Sequence, residues 1–168
     1  MEWLRAAGSF FCALSAAEHV LIFAMETFLW RGRGRKLFRA SAAQAAPLAG
    51  AMAQLGVYNL TLALGLLWAL ARHDTDDKLL FLTFVWLVAA FGATSLMPRI
   101  LLTQGSPALL GLLCVVGSEK QFDDLHSWGH GAYWLLGSVG LVGSAAALAG
   151  ALWKRNDLAC AEEGASLH

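Results

Sequence analysis

Three ionisable side chains lie in an otherwise apolar stretch near the start of the sequence. Glu18, His19 and Glu26 fall within an apolar run that begins near Ala6 and is long enough to cross a membrane. An ionisable group at the centre of a membrane helix costs roughly 2.5–3.5 kcal/mol. A chain that keeps three such groups in one span therefore either uses them or pairs them.

Polar side chains in two later apolar stretches are candidate partners for these groups. Gln54 and Tyr58 are four residues apart and so share one face of a helix. By depth in the membrane, we expect Glu26 to lie near Gln54 and Gln104. His19 is expected nearer to Tyr58 and to the adjacent Asn59. The resulting prediction is a polar seam from the bilayer midplane to the inner face, with the members Glu18, His19, Glu26, Gln54, Tyr58, Asn59 and Gln104.

The polar seam has a structural interpretation and a functional one. Its side chains can hydrogen-bond one another between helices, at about 0.6 kcal/mol per bond. Alternatively, the seam binds a small molecule or conducts protons, with His19 and Glu26 as an acid–base pair. These two residues are seven apart, which gives them nearly the same angular position on a helix. Two ligands are too few for a metal site, so we predict no metal and no cofactor, although the seam suits a bound lipid or quinone.

The elements that position these residues are predicted to be membrane helices. Hydrophobic residues make up 58% of the 168 residues and charged residues 14%, whereas soluble domains are nearer 45–50% apolar and about 25% charged. The formal net charge is zero, so nothing points to nucleic acid. The predicted fold class is all-α, a polytopic membrane helical bundle with four transmembrane helices and a fifth C-terminal one.

The apolar runs divide the chain into parts. The spans are predicted at about residues 6–30, 47–71, 79–96, 100–116 and 132–153. Residues 1–116 form a four-helix transmembrane domain, 117–131 a polar outer loop, 132–153 an additional helix and 154–168 a soluble tail.

Several residues are expected to mark the ends of the spans. Trp3 and Trp30 are placed as interfacial anchors of the first span. The second helix is expected to open between Ser41 and Ala46, and Asp76 or Asp77 to cap the third. The first turns of the fourth span are predicted to be irregular, because that region contains Gln104, Gly105 and Pro107.

The distribution of basic residues predicts the orientation of the chain. Five basic residues lie between Arg31 and Arg39, and placing this loop inside puts eight basic residues inside and four outside. The N-terminus is then outside and the C-terminus inside. The membrane is a bacterial inner membrane or an organellar or other eukaryotic one. The basic loop is also expected to attract anionic lipid.

Three segments resemble a family of small integral membrane proteins, the domain of unknown function 1304. They are residues 19–26, 54–59 and 104–110, and the resemblance covers about residues 10–116. It implies a membrane fold and candidate residues but no activity, since the family has no established function. Two features depart from the family: Gln54-Leu55 stands where an Asn-Gln pair is usual, and a fifth span follows the usual four. There is a fainter likeness to four-helix DoxX-type proteins.

Three functions remain open from the sequence, and whether the protein is an enzyme is undecided. The favoured one is a non-catalytic accessory or structural subunit of a membrane complex, which binds membrane lipids and packs against other subunits through Gly140 and Ser144 of span five. The second is a small membrane enzyme for a hydrophobic, quinone-like or lipid substrate, with Glu26 and His19 as acid–base pair. The third is a small proton-coupled transporter.

Overall fold

A computed structural model describes residues 1–118, 144, 145 and 147–152, and the regular elements within these ranges are all helical. Among them, four helices are long and apolar enough to cross a membrane. The predicted all-α membrane class is therefore confirmed for this part of the chain. The fifth span predicted over 132–153 lies mostly outside the described residues, as do the outer loop from 119 onward and the tail from 154.

The helices follow the predicted order with shifted ends. They are α1 (Glu2–Thr27), α2 (Arg35–Leu37), α3 (Ala42–Ala71), α4 (Thr75–Ser95) and α5 (Ser106–Ser118), with π-helical turns at Trp30–Gly34 and Leu101–Gly105. The π-helical turn before α5 confirms the irregular start predicted for the fourth span.

The start of α3 is fixed by a pair of reciprocal hydrogen bonds. The backbone N–H of Gln44 donates to the Ser41 hydroxyl at 3.2 Å, and the backbone N–H of Ser41 donates to the Gln44 side-chain oxygen at 2.8 Å. Such a capping box satisfies two backbone donors that a helix end otherwise leaves free. The prediction that the helix opens in this segment is confirmed, and Pro47 lies inside α3.

The cap of α4 differs from the prediction. The backbone N–H of Asp77 donates to the Asp74 carboxylate at 3.0 Å, so the capping residue is Asp74 and not Asp76 or Asp77. His73 has a φ of 54°, a left-handed turn after α3 that leaves Asp74 directly before the helix. Asp76 and Asp77 lie in the first turn instead, where a negative charge interacts favourably with the helix dipole.

The described residues form two compact units, one of which contains Met1–Phe11 and the residues from Leu82 onward. In this unit the first turns of α1 run antiparallel to α5. A Cβ at Gly8 would lie 2.8 Å from a Val115 methyl, and one at Gly111 would lie 3.2 Å from the Phe11 Cβ. Glycines at these positions thus allow the two helices to approach closely.

The second unit, Cys12–Phe81, pairs the rest of α1 with α3. The two helices run antiparallel, since Cys12 reaches the Leu66 carbonyl oxygen at 3.7 Å and Gly56 lies against the other end of α1. Their shared core consists largely of small or aliphatic side chains. Its buried members include Cys12, Ala16, Ala45, Ala63, Leu66 and Ala69.

The basic segment after α1 is helical, although the sequence suggests a loop. α1 ends at Thr27, and the π-helical turn and α2 follow. Trp30 is only 3% exposed, and its indole N–H donates to the Ala45 carbonyl oxygen at 2.8 Å. Trp30 is predicted from the sequence as an interfacial anchor, and the structure gives its indole N–H a protein partner on α3. Trp3 is exposed, as that role requires.

Candidate functional site

The central contact of the candidate site joins α1 to α3 through a carboxyl group and an amide. Glu26 is 5% exposed, and the side-chain amide of Asn59 donates to its Oε2 at 2.9 Å. The same amide group donates to the Leu55 carbonyl oxygen at 3.1 Å. Asn59 is thus held by its own helix and presents its second hydrogen to Glu26. Ionisable groups within membrane helices are almost always partnered, and the partner of Glu26 is this amide.

Gly56 brings the two helices close enough for this contact. A Cβ at position 56 would overlap the Thr27 hydroxyl and would lie 3.2 Å from the Phe23 carbonyl oxygen and 3.4 Å from the Glu26 Cβ. Gly56 precedes Asn59 by three residues, so the two share a face of α3. The glycine therefore positions the amide against the carboxyl group.

His19 is the second buried ionisable group of the site. It is 1% exposed, and its Nδ1 lies 2.8 Å from the Ser15 carbonyl oxygen. A carbonyl oxygen only accepts hydrogen bonds, so Nδ1 carries the hydrogen and Nε2 of the neutral ring is an acceptor. The bond to its own helix fixes both the tautomer and the ring orientation of His19.

Three polar oxygens beside these groups have no partner in the described part of the chain. They are the Ser15 hydroxyl, one carboxylate oxygen of Glu18 and the Thr27 hydroxyl, and all three are buried. Leaving a buried polar group unsatisfied costs about 1–3 kcal/mol. All three lie within thirteen consecutive residues of α1, the same stretch that contains His19 and Glu26. We call the group of Ser15, Glu18, His19, Glu26, Thr27 and Asn59 the α1 polar cluster.

The geometry of α1 separates His19 from Glu26. Seven residues at 1.5 Å per residue place them about 10.5 Å apart along the helix axis. The two side chains can contact opposite ends of one elongated molecule or belong to one path of polar groups, and the cluster extends over roughly 18 Å from Ser15 to Thr27.

The structure does not bring Gln54 and Tyr58 into this cluster. Both lie on the exposed side of α3, where Tyr58 is 64% exposed. Thr61 is exposed on the same side, and its hydroxyl donates to the Val57 carbonyl oxygen at 3.0 Å. The sequence predicted that Asn59 lies near His19, from the depth of each residue in the membrane. In the structure Asn59 contacts Glu26 instead.

Gln104 belongs to the other unit. It lies in the π-helical turn before α5 and is half-buried. Among the residues that the structure describes, no group of three or more His, Cys, Asp or Glu is arranged to hold a metal ion.

A comparison with known protein families gives one match. Residues 13–116, more than half of the chain, match the family described as "Protein of unknown function (DUF1304)". The chain belongs to this family. A search of curated proteins and a search of solved structures gave no match. Membership in DUF1304 confirms the resemblance suggested by the sequence, and the matched region includes the whole α1 polar cluster as well as Gln54, Tyr58 and Gln104.

Sequence reasoning overlooked Ser15, Thr27 and Gly56. Ser15 and Thr27 are ordinary residues of membrane helices, so nothing in their type marks them. Gly56 carried a usable signal, because it stands seven residues before Ala63. Small residues at that spacing indicate the face of α3 that packs on a neighbour, and Asn59 lies between them on that face.

Proposed function

We propose that this DUF1304 protein is a non-catalytic subunit of a larger membrane assembly and contacts a neighbouring helix through the exposed polar face of α3. This face, which we call the α3 polar stripe, consists of Gln54, Tyr58 and Thr61. The three residues are spaced by four and three, so they form one continuous stripe. Their positions lie near the middle of the thirty-residue helix, where lipid offers no hydrogen-bond partner.

The observation that carries the proposal is the exposure of this stripe in a helix apolar enough to span a membrane. Polar side chains within membrane helices nearly always face protein or a water-filled cavity. Glutamine and tyrosine side chains can each donate to and accept from a partner helix. A protein helix packed on the α3 polar stripe would supply hydrogen-bond partners for Gln54 and Tyr58.

The C-terminal helix offers a second face of this kind. A Cβ at Gly150 would overlap the Thr94 hydroxyl and would lie 2.7 Å from the Phe91 carbonyl oxygen, so the backbone there lies directly on α4. Ser144 is exposed and is about 120° away from Gly150 around a helix of 3.6 residues per turn. We include the face of Gly140 and Ser144 in the proposal as a second contact with other subunits.

The test is gentle detergent extraction followed by native mass spectrometry of the species that migrates with the chain. We expect a heteromeric assembly. The double variant Q54L/Y58F keeps the side-chain sizes but removes two hydrogen-bonding groups, which should weaken association roughly eightfold at about 0.6 kcal/mol per bond. S144L tests the second face separately. A monomer whose migration neither variant changes would overturn the proposal.

The unpartnered oxygens of the α1 polar cluster support a second candidate function. A lipid-soluble molecule with hydrogen-bonding oxygens, such as a quinone or a lipid alcohol, would satisfy them. In this proposal the Glu26 carboxyl group and the acceptor Nε2 of His19 bind two ends of one molecule and exchange protons with it. The enzyme hypothesis thus keeps Glu26 and His19 as its acid–base pair, with each residue at a different end of the bound molecule.

This second function is tested by extracting and identifying the small molecules that co-purify with the chain. We expect a lipid-soluble molecule in the wild type and its loss in E26Q and H19N, whereas Y58F, an exposed change of similar size, retains it. Retention in all variants would exclude the cluster as the binding site. Solute flux in liposomes that stops in E26Q would instead favour the proton-coupled transporter.

A further inference from the structure

We propose that the helical segment after α1 is an ordered platform that binds the phosphate head groups of anionic phospholipids. We call residues 28–39 the basic platform. It contains five basic residues, and those exposed to solvent are Arg31, Arg33, Lys36 and Arg39.

The basic platform is rigidly connected to the two helices that flank it. The indole N–H of Trp30 donates to the Ala45 carbonyl oxygen on α3, and the Trp30 ring packs on Phe38 with 5.9 Å between centroids. Gly34 lies directly against the end of α1, since a Cβ there would overlap the Met25 carbonyl oxygen. Its cationic side chains therefore extend from a folded element.

The positive charge of the platform has no acidic residue close to it in the sequence. No acidic residue occurs between Glu26 and Asp74, and Glu26 is buried and bonded to Asn59. Within the platform, Arg35 Nε donates to the Arg31 carbonyl oxygen at 3.0 Å. A carbonyl oxygen orients that guanidinium but carries no compensating charge.

The position of the platform in the chain indicates that its partner is a membrane surface. It connects the end of α1 to the start of α3, two helices of membrane-spanning length, so it lies where the apolar spans end. Phe28 is 72% exposed, and Leu29 and Leu37 are exposed as well. Basic and apolar side chains on one short helical element are the combination that binds the interface of anionic membranes.

The expected size of the effect follows from the charge. Each basic side chain near an anionic surface contributes about a fivefold gain in affinity at physiological salt. Removing two charges from the platform should therefore lower the preference for anionic lipid by roughly 25-fold. The effect should weaken as salt is added, because exposed charges are screened.

The test uses the purified full-length protein in neutral detergent micelles, titrated with phosphatidylglycerol or phosphatidylcholine and read by native mass spectrometry. R31Q/R33Q should lose the preference for phosphatidylglycerol, while R31K/R33K should retain most of it. The matched control R5Q/R72Q removes two exposed charges elsewhere and should bind as the wild type does. Equal losses in R5Q/R72Q and R31Q/R33Q would overturn the proposal in favour of bulk charge attraction.

Two further measurements test the order of the platform and the source of the phosphate. W30F removes the bond to Ala45 without changing any charge, so a severalfold loss of phosphatidylglycerol binding is expected. Binding equal to that of the wild type would overturn the requirement for an ordered platform. Inorganic phosphate should compete only weakly, and competition at the same concentration as the lipid would show a site for soluble anions instead of a lipid surface.

Discussion

At the scale of single residues, the amide–carboxyl contact between Asn59 and Glu26 is a polar bond that joins α1 to α3. Replacing Asn59 with Ala removes the donor and leaves the buried Glu26 oxygen without its partner. The expected loss is about 1–2 kcal/mol of unfolding free energy. Unfolding in mixed micelles, followed by circular dichroism, measures it.

The control for this prediction is Q54A, which removes a similar amide from the exposed side of the same helix. Its effect should stay within about 0.5 kcal/mol, as for most exposed substitutions. E26Q should lose less stability than N59A, because its amide oxygen still accepts the Asn59 hydrogen. Equal losses in N59A and Q54A would show that the contact contributes nothing specific.

Residue type alone identified Glu26, His19 and Asn59 as notable, but it did not determine which of them meet. Depth in the membrane depends on which part of a helix lies in the lipid, and α3 extends from Ala42, five residues before the apolar span predicted from residue 47. Rotation about the helix axis depends on packing, and hydropathy does not show which side of a largely apolar helix faces its neighbour. Gln54 and Tyr58 were therefore placed on the wrong side of α3.

At the scale of elements, glycine decides how closely α1 and α3 approach each other. Gly50 and Gly56 both lie inside α3, but a Cβ at Gly50 would have nothing within 4 Å, whereas one at Gly56 would overlap the Thr27 hydroxyl. Gly50→Ala should be neutral or stabilising by up to about 1 kcal/mol, the gain in helix propensity. Gly56→Ala should destabilise by about 1–3 kcal/mol, since overpacking displaces α1.

The comparison of these two variants isolates packing from propensity, because both make the same chemical change in the same helix. Unfolding free energies in mixed micelles give the difference directly. Combining Gly56→Ala with N59A should cost less than the sum of the two single changes, since both act on one contact. Strict additivity would mean that Gly56 does not position Asn59.

The number and order of the first four spans followed from the sequence, because an apolar run of sufficient length in lipid has few alternatives to a helix. The connections were harder to predict. The segment after α1 was expected to be a loop, since it is rich in glycine and arginine, yet Trp30 anchors it to Ala45 as helical turns. Contacts with distant residues, such as the bond from Trp30 to Ala45, stabilise this segment, and no local pattern in the sequence reveals those partners.

At the scale of the whole molecule, the orientation in the membrane is the prediction that the distribution of charge supports. With the N-terminus outside, the ends of successive spans alternate between the two sides. The end of α5, at Ser118, is then outside, and the C-terminus is inside only if one more span follows. Orientation and the existence of the fifth span can therefore be tested together.

Reporter fusions expressed in bacteria make this test. Alkaline phosphatase is active only outside the inner membrane, and green fluorescent protein becomes fluorescent only inside. We expect a phosphatase fused after Ser118 to be active and one fused after His168 to be inactive, with the opposite results for the fluorescent reporter. If the phosphatase is active at both positions, no fifth span follows Ser118. If the phosphatase fused after Ser118 is inactive, the orientation is the reverse of the one predicted. In the reversed case the basic platform would face outside, against the rule that basic residues favour the inner side.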